Sequence, residues 1–333
     1  MADRSQSVLL EGNRSRSRDV YKGVPQGSIL GPLLFVIYTI DMNEYVNNCD
    51  MQRYADDTQL RISFNKSTAF NMNNELMQSL NSVYKYSQNN GLKLNANKSA
   101  VIFFGPNSEW AVDNVRVLMA EAVIPVVKEY KNLGIIFDAT LRFRSQVGKV
   151  VQKSYLALRN LYKSKHILRP HLKKSLCEAL VLSLTNYCNF VYGPCLDLQC
   201  KNRLQRIQNS CIRFIYGLRG RDHVSHKLPE LKWLKIIDRQ KLHFACFLHQ
   251  LLKTGIPQYL REKLQFRYST HSRTTRNNNL LNIPKHRTAL FQRSFSYMAP
   301  KMYNANILSS NLENLSPLSF KLKYRRILLD KYL

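Results

Sequence analysis

Asp56 and Asp57 are adjacent carboxylates that follow Tyr54 and Ala55 in a stretch of alternating character. Carboxylates are hard oxygen ligands, and Mg²⁺ takes one or two of them from a protein while keeping positions for substrate phosphates. Two divalent ions bridging an attacking oxygen, a phosphate and a leaving group are what phosphoryl transfer to a growing strand needs. Alone, an Asp-Asp dipeptide is more often a solvated turn. A second feature upstream reverses those odds. Gly23 and Val24 lead into Pro25, Gln26, Gly27 and Ser28, just before a long apolar run. Gly27 would let the backbone approach a ligand closely. Gln26 and Ser28 supply donors and acceptors. Alone, that segment too would be an ordinary turn before a buried helix. The two together, in this order, point to a nucleotide or template loop beside a metal site.

Elements must hold these groups in place. Residues 51–53 and 58–63 alternate and read as a hairpin with the carboxylates at its tip. Residues 6–12 and 20–22 read as short strands around a basic turn at 14–18. Residues 32–42 are apolar at nearly every position and suit a buried helix, with Pro32 tolerable in its first turn. Ser67 or Thr68 can cap a helix to about residue 90, with Leu76, Leu80, Val83 and Tyr84 as its apolar stripe and Gly91 at its end. Residues 92–95 and 100–104 read as strands around Asn97 and Lys98, 115–119 with 122–127 as a hairpin, and 133–137 as a strand. From residue 143 apolar positions recur at helical spacing. Helices are expected at about 171–191, 200–217, 236–253 and 317–329. Residues 268–287, polar and basic, read as a linker. The pattern is α+β first, then mostly helix.

Composition sharpens this division. The chain has 333 residues and a formal charge of +28. Residues 1–140 hold 14 Lys and Arg against 14 Asp and Glu, whereas residues 141–333 hold 36 against 8. A field of that sign draws polyanions, and nucleic acid is the first candidate, since Lys and Arg contacts to phosphate release counterions. The alternative is a solvated helical surface that happens to be basic. Seven cysteines, an odd number without zinc-type spacing, argue against a disulfide framework or a zinc site. The longest apolar run, 29–40, is too short to span a bilayer, and the first residues lack the apolar core of a signal peptide. The expectation is an intracellular protein, nuclear or cytoplasmic, without a membrane.

Taken in order, these motifs resemble the reverse transcriptases of non-LTR, jockey-like retrotransposons. The loop at 23–28 with its apolar run is similar to segment B of the polymerase palm, and Tyr54 to Asp57 to segment C. Gly91, Leu92, Lys93, Leu94, Asn95 and on to Lys98 look like segment D. Asn132, Leu133, Gly134 and on to Asp138 look like segment E, the primer grip. Leu231 to Ile236, Gly255 to Leu260 and Arg293 to Asn304 are similar to the helical region beyond the palm. The resemblance implies a partial palm over 1–140, a basic helical thumb-like region over 141–265, and a basic C-terminal region over 266–333. It implies RNA-directed DNA polymerase chemistry with Mg²⁺ or Mn²⁺, an RNA template, a DNA primer and a dNTP. By the same route Asp56 and Asp57 are catalytic metal ligands, with Asp57 in the lesser role. Pro25, Gln26, Gly27 and Ser28 meet template or nucleotide, Lys98 faces the phosphates, and Leu133 and Gly134 lie near the primer.

One departure matters. In this family a further aspartate, in segment A on a separate palm strand, completes the metal site. No such stretch stands in this sequence. Asp3, Asp19, Asp41 and Asp50 are poor substitutes by their surroundings. The resemblance is therefore to an N-terminally truncated enzyme without fingers or segment A, expected to be inactive alone unless an upstream segment is supplied in trans. The alternative reading is a non-catalytic nucleic-acid-binding protein that uses its basic helical half.

Overall fold

In the computed structural model the described residues are 4–25, 27–269, 278–307, 312 and 314–332. The chain divides into two compact units, Met1–Val127 and Lys128–Leu333. The first is mixed in structure and the second mainly helical, so the α+β pattern stands.

The first unit opens with a nested hairpin. Strand β1 (Ser5–Gln6) pairs with β4 (Arg18–Asp19), and β2 (Leu9–Leu10) with β3 (Asn13–Arg14). Its tip is at Glu11 and Gly12, both with positive φ, and not at the basic residues 14–18. Gly12 accepts that conformation freely, so the turn forms there. Helix α1 (Gly31–Tyr38) follows, then a 3₁₀ segment, Ile40–Tyr45. The expected buried helix over 32–42 is thus shorter, and it is not buried. Ile29 is 95% exposed, and Leu33, Val36, Ile37 and Ile40 all face solvent. Apolar composition identified a helix that wants a partner, but among the described residues of this unit only part of it is covered, at Gly31, Leu34 and Phe35.

Strands β5 (Asp50–Tyr54) and β6 (Asp57–Arg61) form the expected hairpin. Helix α2 (Ala69–Asn89) is the spine of the unit. Leu76 and Leu80 pack on a cluster of Phe103, Ala111, Val115 and Val117, while Val83 and Tyr86 join Met42, with Met51 of β5 against them. Helix α3 (Ser108–Asn114) was not foreseen. Residues 92–95 and 100–104 form no paired strands. Asn95 instead accepts from the Lys98 amide and closes a 3₁₀ turn, and Val101 makes a single bridge to Val126. The side-chain cap offered the backbone an alternative to a ladder. Strands β7 (Leu118–Met119) and β8 (Ala122–Val123) make the expected short hairpin.

The second unit begins with β9 (Glu129–Asn132) and β10 (Ile135–Asp138), a hairpin turning at Leu133 and Gly134. Helix α4 (Arg144–Lys163) packs Val147, Val150, Leu158 and Leu161 inward. The helix expected over 171–191 is broken into α5 (Pro170–Leu176), a widened π-type turn (Cys177–Leu182), α6 (Ser183–Asn186) and α7 (Asn189–Tyr192). The break falls where Cys188 takes a left-handed conformation. Helix α8 (Leu198–Tyr216) is capped by Asp197, and α9 (Lys227–Leu231) precedes α10 (Ile236–Thr254). Short α11 (Gln258–Arg261), α12 (Phe295–Met302) and α13 (Pro317–Leu329) complete it.

One apolar core gathers α4, α8 and the segments between them, and a second gathers α10, α12 and α13. The residues read as a linker include 270–277, which lie outside the described residues. Their flanks are stitched together: the Arg267 amide donates to the Leu280 carbonyl, the Asn282 amide to that of Gln265, and Leu281 is fully buried. Among the described residues no helix is long and apolar enough to cross a membrane.

Candidate active site

The carboxylate pair sits where the hairpin turns. Tyr54 pairs with Asp57, leaving Ala55 and Asp56 as the two-residue loop. Ala55 has φ +52, so the first loop residue carries the positive φ that a tight hairpin turn demands. A non-glycine residue there stores about 1 kcal/mol or more of strain, the kind that aims a functional turn. Along β6 exposure alternates: Asp57, Gln59 and Arg61 face out, and Thr58 and Leu60 lie against the unit. Asp57 therefore shares its face with Tyr54 and Gln52 of β5. Arg53, on the other face, donates to the Thr39 carbonyl and ties the hairpin to the end of α1. Sequence reasoning gave Arg53 no role; its place on the inward face of a half-buried strand was the available signal.

The upstream loop is a turn in which the Ser28 amide donates to the Pro25 carbonyl at 3.2 Å. Gly27 has φ +82, which only glycine adopts at low cost. Ser28 accepts from the Gly31 amide at 3.0 Å and so caps α1. A Cβ on Gly31 would stand 2.7 Å from that hydroxyl, so glycine is what lets the cap form. Gln26 lies outside the described residues. Lys98 is exposed in the 3₁₀ turn that Asn95 closes.

In the second unit, Leu133 and Gly134 form a turn with φ +44 and +83. The Tyr187 hydroxyl donates to the Leu133 carbonyl at 2.7 Å. The Tyr187 ring would lie 3.2 Å from a Cβ on Gly134. Tyr187 was not singled out from sequence, since its partner is 54 residues away. Asp138 ends the same motif and organises the entry to α4. Its carboxylate accepts from the Thr140, Arg142 and Phe143 amides. Burial pushes this carboxyl up, but the Thr140 hydroxyl and those amides outweigh it and hold it below the usual range.

The residues present fit a divalent cation in chemistry and fall short in number. Asp56 and Asp57 offer two hard ligands. Among the described residues, no group of three or more His, Cys, Asp or Glu comes together that could hold a metal ion. Three other aspartates of the unit are engaged elsewhere. Asp41 accepts from the Tyr86 hydroxyl, whose pKa is pushed up to about 12 by burial and by that bond. Asp50 pairs with Arg61 at 2.8 Å, and Asp19 accepts from Tyr21. Asp3 lies outside the described residues.

Residues 4–137, which carry the loop, the carboxylate pair and the turn at 133–134, match the family of reverse transcriptases (RNA-dependent DNA polymerases). Over this stretch the chain is similar to that family. Its relatives include the RNA-directed DNA polymerase from mobile element jockey of Drosophila funebris, 28% identical over 242 residues, or 68% of this chain and 26% of the relative. The probable RNA-directed DNA polymerase from transposon BS of Drosophila melanogaster is 25% identical over 284 residues, covering 79% of this chain and 31% of the relative. The chain thus spans between a quarter and a third of the length of these relatives.

Proposed function

We propose that this chain is the part of an RNA-directed DNA polymerase of the non-LTR retrotransposon kind that carries the catalytic carboxylate pair and the nucleic-acid-binding helices. The observation that carries the reading is the carboxylate pair at a strained hairpin turn inside the stretch that matches the reverse transcriptase family. Asp56 and Asp57 would hold Mg²⁺ or Mn²⁺; when bound, the metal lowers the charge barrier to attack on a nucleotide phosphate. Pro25, Gln26, Gly27 and Ser28 would line the template or nucleotide, with the cap on α1 fixing the loop. Lys98 would balance phosphate charge, and Tyr187 would brace the Leu133 and Gly134 turn against the primer. The partners are an RNA template, a DNA primer and a dNTP, in the nucleus or cytoplasm.

Two adjacent carboxylates leave a catalytic ion under-coordinated and the reacting groups unaligned. The chain alone is therefore inactive, and a polypeptide segment bearing a further carboxylate completes it. Primer extension on poly(rA)/oligo(dT) with Mg²⁺ or Mn²⁺ tests this. The expected result is no incorporation by the 333-residue chain. Robust incorporation that vanishes in Asp56→Ala would overturn the inactivity.

The second reading, a non-catalytic nucleic-acid binder, is favoured by the 36 Lys and Arg against 8 Asp and Glu in residues 141–333. The two readings separate on whether a supplied segment restores incorporation.

A further inference from the structure

The hairpin that carries Asp56 and Asp57 gets little direction from its own backbone. Strands β5 and β6 pair with each other and, among the described residues, with no other strand. A two-stranded hairpin alone is marginally stable in water. Its orientation must therefore come from side chains on its inward face. Met51 and Leu60 lie on that face, and Met51 packs against Met42, Val83 and Tyr86. These two share a rung far from the tip. Arg53 is also on the inward face, but it pairs with Thr58 on the rung next to Tyr54 and Asp57.

The Arg53 guanidinium donates to the Thr39 carbonyl. That carbonyl, which also accepts from the Met42 amide at 3.2 Å, belongs to the C-terminal cap of α1. The helix dipole favours a cation there. The anchor is itself held. Thr39 is buried, the Tyr38 hydroxyl donates to the Asn90 carbonyl at 2.6 Å, and Asp41 accepts from the buried Tyr86 hydroxyl. The other end of α1 is capped by Ser28 of the upstream loop. A helix of eight residues is about 12 Å long. Arg53 thus links the carboxylate end of the hairpin to the loop at 25–28 through one short, capped helix.

We infer, on the proposed metal-binding role of Asp56 and Asp57, that Arg53 is a positioning residue: through the Thr39 carbonyl and α1 it sets the carboxylate pair against the loop of Pro25, Gly27 and Ser28. It touches neither metal nor nucleotide. The hairpin turn fixes the two carboxylates relative to each other, and Arg53 fixes both relative to the loop. A side chain that merely stabilised the unit would change how much of the chain is folded. It would leave the separation of the pair and the loop in the folded fraction unchanged.

The test is Mn²⁺ line broadening in the amide NMR spectrum of the full chain, since broadening by this paramagnetic ion falls steeply with distance. In the native chain Mn²⁺ is expected to broaden the Asp56, Asp57 and Thr58 amides, and also those of Gly27 and Ser28. In Arg53→Met the hairpin amides should still broaden while the loop amides lose their broadening. Arg53→Gln, polar but shorter, guards against loss of the fold and should behave in the same way. Arg53→Lys, which keeps a charged donor, should retain both sets. Loop broadening that is unchanged in Arg53→Met and Arg53→Gln, or lost together with the hairpin broadening in both, overturns the inference. Broadening that is indifferent to Asp56→Ala overturns the proposed role of the pair itself, and this inference with it. Where a supplied segment restores primer extension, Arg53→Met should slow incorporation with Mg²⁺ by roughly a hundredfold, the scale of a misplacement of about 1 Å. The loss should be smaller with Mn²⁺, because Mg²⁺ demands near-ideal octahedral geometry. Equal slowing with the two ions is what a smaller folded fraction gives, and it contradicts a positioning role.

Discussion

Asp138 shows how one carboxylate can organise a motif. It closes the β9–β10 hairpin and gathers three backbone amides at the start of α4. Asp138→Asn removes charge from those bonds and is expected to cost about 2 kcal/mol, read as a lower urea midpoint. Gly134→Ala puts a Cβ at φ +83 and 3.2 Å from Tyr187. A left-handed conformation alone costs roughly 1–2 kcal/mol, so this variant should also unfold earlier, and more so than an Ala substitution at the exposed Gly220. The pH response follows from the same kind of accounting. Burial, then Arg239 and Lys321, pull His243 from 6.5 down to about 4. The unfolded chain therefore takes that proton first, and stability drops as pH falls from 6.5 towards 4. Below that, Asp197 adds a further loss. The Cys200 amide and then Arg144 hold it at about 2 against an ordinary 3.8, so its contribution is present above 3.8 and disappears as pH falls towards 2. Asp138, also held low, acts in the same direction. Urea midpoints measured from pH 7 to pH 3 should decline steadily; a flat profile would contradict these assignments.

Helix α1 carries the clearest lesson among the elements. Its sequence demands burial, yet Leu33 and Ile37 are each 55% exposed. Its C-terminal end is tied down by Tyr38 to the Asn90 carbonyl and by Arg53 to Thr39, and its N-terminal end by the Ser28 hydroxyl on the Gly31 amide. Replacing Leu33 and Ile37 by Lys is expected to reduce self-association in light scattering without lowering the melting temperature, because neither side chain supports the core. A lowered melting temperature would show that α1 is buried in solution. The hairpin bearing Asp56 and Asp57, helix α2 and the C-terminal helix were legible because their periodicity and turn residues agree. The helix expected over 171–191 was not, since its break at Cys188 depends on a backbone conformation that its own residue type disfavours. Likewise the strands expected over 92–104 lost to an Asn95 side chain that satisfies the backbone locally. In the candidate site, the residues proposed to carry chemistry were named from type and spacing. Arg53 and Tyr187, which hold the turns, were not, because their contacts span 14 and 54 residues.

At the scale of the whole molecule, charge and order divide together. The second unit has two large apolar cores, whereas the clusters of the first are small. Within residues 141–333, eight carboxylates cannot neutralise 36 cations, so a large positive field remains. Binding to single-stranded RNA, followed by fluorescence anisotropy, should weaken by about a thousandfold between 50 and 200 mM salt if the chain makes several phosphate contacts. Salt-independent or absent binding would contradict a nucleic-acid role for these helices. The central claim, that Asp56 and Asp57 are the metal-binding share of a polymerase site, is tested most directly by complementation. The N-terminal reverse-transcriptase segment of a jockey relative, supplied as a fusion or in trans, should restore primer extension. Asp56→Ala should then reduce incorporation by roughly a hundredfold or more, with Asp57→Ala less severe. Incorporation that is restored but indifferent to Asp56→Ala would contradict the account.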